Sequence, residues 1–507
     1  MSAPLTELVV LGRDAPLWLA ASVIQGALRP AGVRVTAVEL PSRLQPADVY
    51  ASLPPLEAFH NLLQLDEAQL LRLTGGSFSL GQNFKAAGGA TPSFFHAYGS
   101  YGAAIDHKDF FAYWLKARHL GLPVALEDFS LTAAAAKQGR MLLPDEATER
   151  FGRTDYGYHL PALSYASVLK TLAVRHGVTA HQAAEARPVL DPDSGDILAL
   201  DVGGDRRIEG QFFIDASGPE GRLIGGVLGV QREDWRSHLV ADRTLVARAA
   251  PFTAAPVYGE IRAWAGGWLG LFPTRAETHV LQAYSSAYCD DPTALAGAAK
   301  VAQLELDAVA VRRSAPGRRL VAWERNCVAV GEAACVFDAV HAVELHAVQL
   351  GLVHFLELFP LGGEFAAERR EYNRITQSTF ERIRDFQSAF YVLNRYGDSD
   401  FWSAARRAQA SPELTHKIET FRARGEATLL EDEAFLIDSW RALFVGQGLM
   451  PESHIPIIDQ TSPDEVKREF RRILGFIKEQ VLKQPPHQEY LDRFCGPETA
   501  PEFASGS

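Results

Sequence analysis

The first forty residues constrain the fold more than any other stretch. Leu8-Val9-Val10-Leu11 is a short apolar run closed by Gly12, with the length and composition of a buried strand. Residues 18–28 read as a helix, and 33–38 as a second apolar strand ending at Glu39. Two buried strands separated by a helix form a parallel unit, because parallel strands need a crossover between them. At the N-terminus, such a unit predicts an α/β dinucleotide-binding core. The loop of that fold usually carries G-x-G-x-x-G, so that backbone can approach a diphosphate and the helix can pack on the strand. This chain has Gly12-Arg13-Asp14-Ala15-Pro16-Leu17, and only the first glycine is present. Asp14 brings a negative charge to the diphosphate position, and Leu17 replaces the packing glycine, so weak binding is expected. Arg13 offers charge to a phosphate. Glu39 suits a ribose hydroxyl, and equally a solvated strand end.

Other segments fill in the architecture. Helical spacing covers 108–120 and 166–176, and 197–202 and 207–214 alternate as strands around a Gly203-Gly204 turn. Residues 245–285 contain strand-like runs punctuated by glycine and proline, suited to an antiparallel sheet on the substrate side. From about 363 the chain is charge-rich and helical. Ser462-Pro463-Asp464-Glu465 starts a helix with a cap, proline at its first position and glutamate at its third. The expected organisation is a core over 1–362, a helical covering region over 363–496 and a tail over 497–507.

Composition removes several classes of function. Of 507 residues, 50 are Lys or Arg and 62 are Asp or Glu, a net charge of -12, which is the wrong balance for nucleic acid. No apolar run is long enough to span a membrane. Residues 1–10 enter a strand pattern directly and lack the marks of a signal peptide, so a cytoplasmic location is expected. Cys289, Cys327, Cys335 and Cys495 form no C-x-x-C pair or disulfide framework, and no metal site is expected.

A set of motifs, in order along 8–492, resembles the flavin-dependent tryptophan (aryl) halogenases. Asn83-Phe84-Lys85-Ala86-Ala87 is similar to the segment holding that family's active-site lysine, and Phe94-Phe95-His96-Ala97-Tyr98-Gly99 to the one placing a histidine and an aromatic against the substrate ring. Tyr156-Gly157-Tyr158-His159-Leu160 resembles the helix start before the second half of the flavin domain. Phe213-Ile214-Asp215-Ala216-Ser217-Gly218 resembles a strand and turn that close the flavin site. Trp268-Leu269-Gly270-Leu271-Phe272-Pro273 resembles W-x-W-x-I-P with its second tryptophan lost to Gly270. Phe401-Trp402 and 439–451 resemble the helical part that covers the substrate. Residues 330–344 resemble the flavin-contacting segment, where the family has a catalytic glutamate at the place of His341 and a small halide-holding turn at Ala342, Val343 and Glu344.

The resemblance implies a fold and a set of roles. The fold is an FAD-dependent monooxygenase-like dinucleotide core with an antiparallel substrate-side sheet and a helical C-terminal layer. Reduced FAD from a separate flavin reductase, oxygen, and chloride or bromide would yield hypohalous acid, which halogenates an electron-rich ring such as an indole. Lys85 and His341 are the catalytic candidates. Gly12, Glu39, Asp215, Gly218, Trp268 and Pro273 are cofactor candidates. His96, Tyr98, Phe435 and Trp440 are substrate candidates. A homodimer is a possible state. For Lys85 a salt-bridged surface role is equally open, for His341 a core filler, and for the aromatic set ordinary packing. Glu344 would repel a halide unless protonated. Three activities therefore stay open: a halogenase, a flavin monooxygenase without halide chemistry, and a non-catalytic relative that binds an aromatic ligand or partner.

Overall fold

The computed structural model describes residues 5–89, 93–360, 362 and 364–496. The expected tail, 497–507, lies outside them. In chain order, the elements that position the site begin with β1 (Glu7–Gly12), α1 (Asp14–Leu28), β2 (Arg34–Glu39) and α2 (Leu56–Leu62). Next come β3 (Gly81–Ala86), β4 (Phe94–Ala97), β5 (Thr179–Gln182), β6 (Phe212–Ala216), β7 (Arg243–Ala249), β8 (Gly259–Trp264), β9 (Gly267–Pro273) and β10 (Thr278–Tyr284). Then follow α3 (Asp291–Ala302), β11 (Asp307–Arg313), β12 (Trp323–Glu324), β13 (Cys327–Ala329) and α4 (Glu344–Glu357). The C-terminal part holds α5 (Ala366–Val392), α6 (Ile437–Gly446) and α7 (Pro463–Lys483).

The apolar run at the start of the chain becomes the middle of a sheet ordered β12-β13-β6-β1-β2-β5. β1 pairs in parallel with β2 and β6, and Gly12 lies opposite both Glu39 and Ala216. A strand covered on both faces must be apolar on both, which is why Leu8 to Leu11 show no alternation. Gly12 is required by close packing: a Cβ there would stand 2.6 Å from the Ala216 carbonyl oxygen. Leu17 is fully buried in the main core, so the residue that replaces the third glycine turns inward, away from the strand ends.

A second sheet has the order β11-β7-β10-β9-β8-β3-β4, antiparallel except for the β8–β3 pair. The antiparallel substrate-side sheet expected over 245–285 is its centre. Its two faces differ. Phe84 lies opposite Ile261 and Phe94, while Lys85 lies opposite Arg262. Alternation therefore sends Phe84 and Lys85 to opposite sides.

Two local expectations change. The 207–214 run is not one strand: Arg207–Glu209 forms a hairpin with Ile197–Asp201, and β6 leaves it to join the parallel sheet. Residues 156–160 enter a strand, Gly157–Pro161, and the helix begins after it at Ala162. The C-terminal helices join the core directly. One apolar cluster contains Val10, Phe84, Trp268, Phe386, Trp440 and Ile477. Ser462 and Glu465 form both halves of the capping box at the start of α7.

Because Leu17 fills the core, Leu17→Ala is expected to lower stability by about 2–5 kcal/mol. Urea unfolding followed by circular dichroism measures it. A loss below about 0.5 kcal/mol would place Leu17 on a yielding surface instead.

Candidate functional site

Ligands of such sheets usually bind at the C-terminal ends of the parallel strands, here termed the crevice. Arg13 precedes α1 there and is only 7% exposed. Its Nη1 donates to the Pro41 carbonyl at 3.1 Å, while Nε and Nη2 have no protein partner. A buried guanidinium with unmet donors at a helix N-terminus is suited to an anion. Asp14 has φ 58°, the left-handed conformation that a glycine adopts freely. Its carboxylate accepts from the Arg43 backbone N–H at 3.4 Å, and Arg43 is also ion-paired with Glu220. Part of the negative charge at Asp14 is thereby answered by the protein. Glu39 binds Lys170 Nζ at 2.6 Å and Gln182 Nε2 at 3.2 Å, both through Oε2.

Asp215, expected at the cofactor, is completely buried. It accepts the backbone N–H of Ser217 at 3.0 Å, Leu223 at 2.7 Å and Ile224 at 2.9 Å. Those bonds fix the turn after β6 and leave Gly218, at φ 92°, to shape the crevice edge. Pro273 ends β9, where its carbonyl accepts Ser77 Oγ at 2.6 Å and contacts the His159 ring at 3.0 Å. Trp268 lies in the core, with Nε1 donating to the Tyr391 hydroxyl at 3.0 Å. Asp215 and Trp268 are thus anchoring groups. The sequence placed them at the cofactor because a motif records chain position and not side-chain direction.

A cavity of about 500 Å³ lies beside this region. His96, Tyr98, Arg153, His346, Phe435 and Ser439 are among its lining residues. Three of the four expected substrate residues thus meet on one surface. Trp440, the fourth, is fully buried one layer back. It lies edge-on to Phe386 at 4.9 Å, donates to Glu433 at 3.1 Å and carries the Lys417 ammonium over its ring at 4.1 Å. Phe386 in turn stacks on Phe435 at 3.8 Å.

Lys85 and His341 do not share the site. Lys85 Nζ pairs with Glu260 at 2.9 Å on the half-open face of the second sheet, beside Arg262, which also binds Glu260. Its neighbour Phe84 takes the inner position, 5.4 Å from the His341 ring. His341 is 1% exposed and enclosed by Phe84, Phe386, Phe390, Phe435 and His96. Burial holds it neutral, with its pKa well below the ordinary value, and the aromatic seal keeps it just behind the cavity wall.

Residues 340–346 form that wall. His341 and Ala342 both have positive φ, 68° and 58°, which is costly without glycine. A buried polar chain holds them there. Gln387 Nε2 donates to the carbonyls of Asp338 and Val340 at 2.8 and 2.7 Å. Asp338 accepts Val340 N–H at 2.9 Å and the Tyr391 hydroxyl at 2.7 Å. Burial raises the Asp338 carboxyl to about 6. His346 faces the cavity, whereas Glu344 is exposed to the crevice. The crevice walls, then nearby Glu332, push the Glu344 carboxyl up to about 8. Asp48 and Asp14 push the same way and Arg312 opposes them. Asp338, Gln387, Gln82 and Arg153 were not foreseen. No local spacing marks them, since each acts through a distant partner.

A model of the tryptophan halogenase family matches residues 7–463. The chain is 25% identical to tryptophan 6-halogenase ThaL of Streptomyces albogriseolus, over 90% of this chain and 92% of that protein. It is 26% identical to tryptophan 7-halogenase KtzQ of Kutzneria sp. (strain 744), over 96% and 98%. A solved flavin-dependent halogenase from Xanthomonas campestris superposes with a TM-score of 0.91 at 30% identity, over 98% of this chain and all of that one. BrvH, a flavin-dependent halogenase from Brevundimonas sp. BAL3, gives a TM-score of 0.91 at 29% identity, over 97% of this chain and all of that one. With the crevice, the cavity and their shared wall in this arrangement, the chain belongs to the tryptophan halogenase family.

Proposed function

We propose that the chain halogenates an electron-rich aromatic ring, of the tryptophan or indole kind, in the cavity lined by His96, Tyr98 and Phe435. FAD, reduced by a separate flavin reductase, is the cofactor of the flavin-dependent halogenases. The crevice residues fit it. Arg13 and the N-terminus of α1 would hold the diphosphate, Gly12 lets the strands close beneath it, and the free oxygen of Glu39 would take a ribose hydroxyl. When bound and reduced, FAD with oxygen and halide supplies hypohalous acid. The observation that carries the reading is the shared wall, since residues 340–346 face the crevice at Glu344 and the cavity at His346.

The chain's own residues account for the remaining chemistry. Phe435 and Tyr98 offer faces and edges to an aromatic ring, which adds to simple area burial. Electrophilic substitution ends when the ring loses a proton, and a ring carrying that extra proton is a strong acid. His96, pushed down to about 3 by burial, is neutral and has a lone pair able to accept it.

Glu344 favours a second reading, a flavin monooxygenase on the same scaffold. Ionised, it places an anion where the family's halide-holding turn would lie, so halide is excluded and hydroxylation remains. The two readings separate on the product. With FAD, a reductase, bromide and indole, halogenation gives an aryl bromide, and hydroxylation gives an oxygenated indole whatever the bromide concentration.

Three measurements test the assignments. Arg13→Gln is expected to raise the Kd for FAD, read by fluorescence quenching, roughly tenfold to a hundredfold, through loss of charge-assisted hydrogen bonds of about 1.5–3 kcal/mol. An unchanged Kd removes Arg13 from the site. Lys85→Ala is expected to leave the product rate within about twofold, because the ammonium faces Glu260 and not the cavity. Abolished turnover with normal folding would restore the lysine role expected from the sequence. The third concerns pH. Glu344 is neutral below about 8 and ionises above it, so repulsion of halide grows with rising pH. The apparent KM for bromide is expected to climb roughly tenfold between about pH 7 and 9, a penalty of about 1.4 kcal/mol, and to stay flat in Glu344→Gln. Parallel curves for the two proteins would clear Glu344 of any part in halide binding.

A further inference from the structure

Among the described residues lining the cavity there is no lysine. Lys85 is on the other face of the second sheet, so an amine is not what meets the oxidant. The cavity instead presents His96, which is 3% exposed and has an Nδ1 without a partner. Directly across the β3–β4 pair is Gln82, on the same face and 2% exposed, with neither its amide nitrogen nor its amide oxygen bonded. Behind His96 is His341, 6.1 Å away between ring centres, also with an unpartnered Nδ1. Each unmet buried polar atom costs about 1–3 kcal/mol. Protein interiors rarely tolerate several together without a polar guest. The guest that fits is small, bears a hydroxyl, and is able to react with a neutral imidazole.

We propose that His96 captures the halogen of hypohalous acid as an N-halo imidazole, with Gln82 holding the departing hydroxyl, and hands that halogen to the aromatic ring against Tyr98 and Phe435. The inference rests on the halogenase reading above. In the first step the unprotonated ring nitrogen of His96 forms a bond to halogen through its lone pair, the halogen–oxygen bond breaks, and the proton on the other ring nitrogen leaves with the hydroxyl as water. In the second, a carbon of the aromatic ring attacks the halogen and the nitrogen–halogen bond breaks with its electron pair on nitrogen. That nitrogen then takes the ring proton, restoring the imidazole. Hypohalous acid is the oxidant, the aromatic ring is oxidised, and the sum is an aryl halide plus water. An imidazolium has no lone pair for the first step. Burial among Tyr98, Phe386, Phe435 and His341, with the Arg153 guanidinium nearby, keeps His96 in the form that reacts.

The test uses the full chain with FAD, a flavin reductase, bromide and indole, and a soluble β-diketone that traps escaping hypobromous acid. Native protein is expected to give mainly bromoindole. His96→Asn keeps a polar group and cannot carry halogen, so its bromoindole yield should fall roughly a hundredfold while the trapped fraction rises to match. His96→Ala should behave alike, and added imidazole should restore bromoindole by refilling the vacated space. When indole is left out, native protein freed of unbound hypobromous acid by rapid gel filtration should pass bromine to indole added afterwards, and His96→Ala handled alike should not. Unchanged bromoindole in His96→Asn and His96→Ala, failure of imidazole to rescue, or no bromine passed from the filtered native protein to added indole overturns the carrier role. Native protein that yields neither bromoindole nor trapped hypobromous acid defeats the halogenase reading itself, a different outcome from loss of the carrier.

Discussion

The Asp338 carboxylate is the interaction on which the site depends. It is buried at the meeting point of three parts of the chain: β9 through Trp268, α5 through Tyr391 and Gln387, and the turn that leads into α4. A carboxylate without water costs several kcal/mol unless its lone pairs are met. Here a backbone N–H and a tyrosine hydroxyl meet them, and burial still raises its proton affinity. The network pins His341 and Ala342 in left-handed backbone. That fixes where α4 begins, and so where His346 and Glu344 face.

The histidines around the cavity differ from surface histidines in one respect. Burial pushes His96 to about 3 and His346 to about 4, and lowers His341 well below its usual value. They are uncharged across the physiological range, so among the described residues lining the cavity Arg153 is the one that carries positive charge, and Asp155 pairs it at 2.9 Å. That suits a neutral oxidant and a neutral ring better than it suits ions. Glu57, Arg153 and Asp155 also line the cavity, and the crevice side carries Arg13 and Arg43 among Asp14, Glu220 and Glu344.

The fold was legible because its signals are local. The continuous apolar run before Gly12, the cap at Ser462 and the turn-rich runs near 245–285 each describe one element, and each element formed. The site was legible only in part. His96, Tyr98 and Phe435 meet as expected. Lys85 does not join them, because one step along a strand reverses the face and a short motif leaves that choice open. Leu17 looked like an obstacle to cofactor binding, yet its side chain turns into the core. Gly270 looked like the loss of a tryptophan, yet the Phe272 ring occupies the space beside it, where a Cβ would come within 2.7 Å. Asp338 and Gln387 lie 49 residues apart and gave no sign before the helices came together.

The wall at residues 340–346 has one further consequence. It is shared, and its backbone is held in left-handed φ at His341 and Ala342, which is costly without glycine. A ligand that shifts it from the crevice side must alter the cavity, and a ring that shifts it from the cavity side must alter the crevice by the same free energy. Cofactor and substrate are then not independent tenants of the protein. On that linkage, the occupancy of each would report on the other.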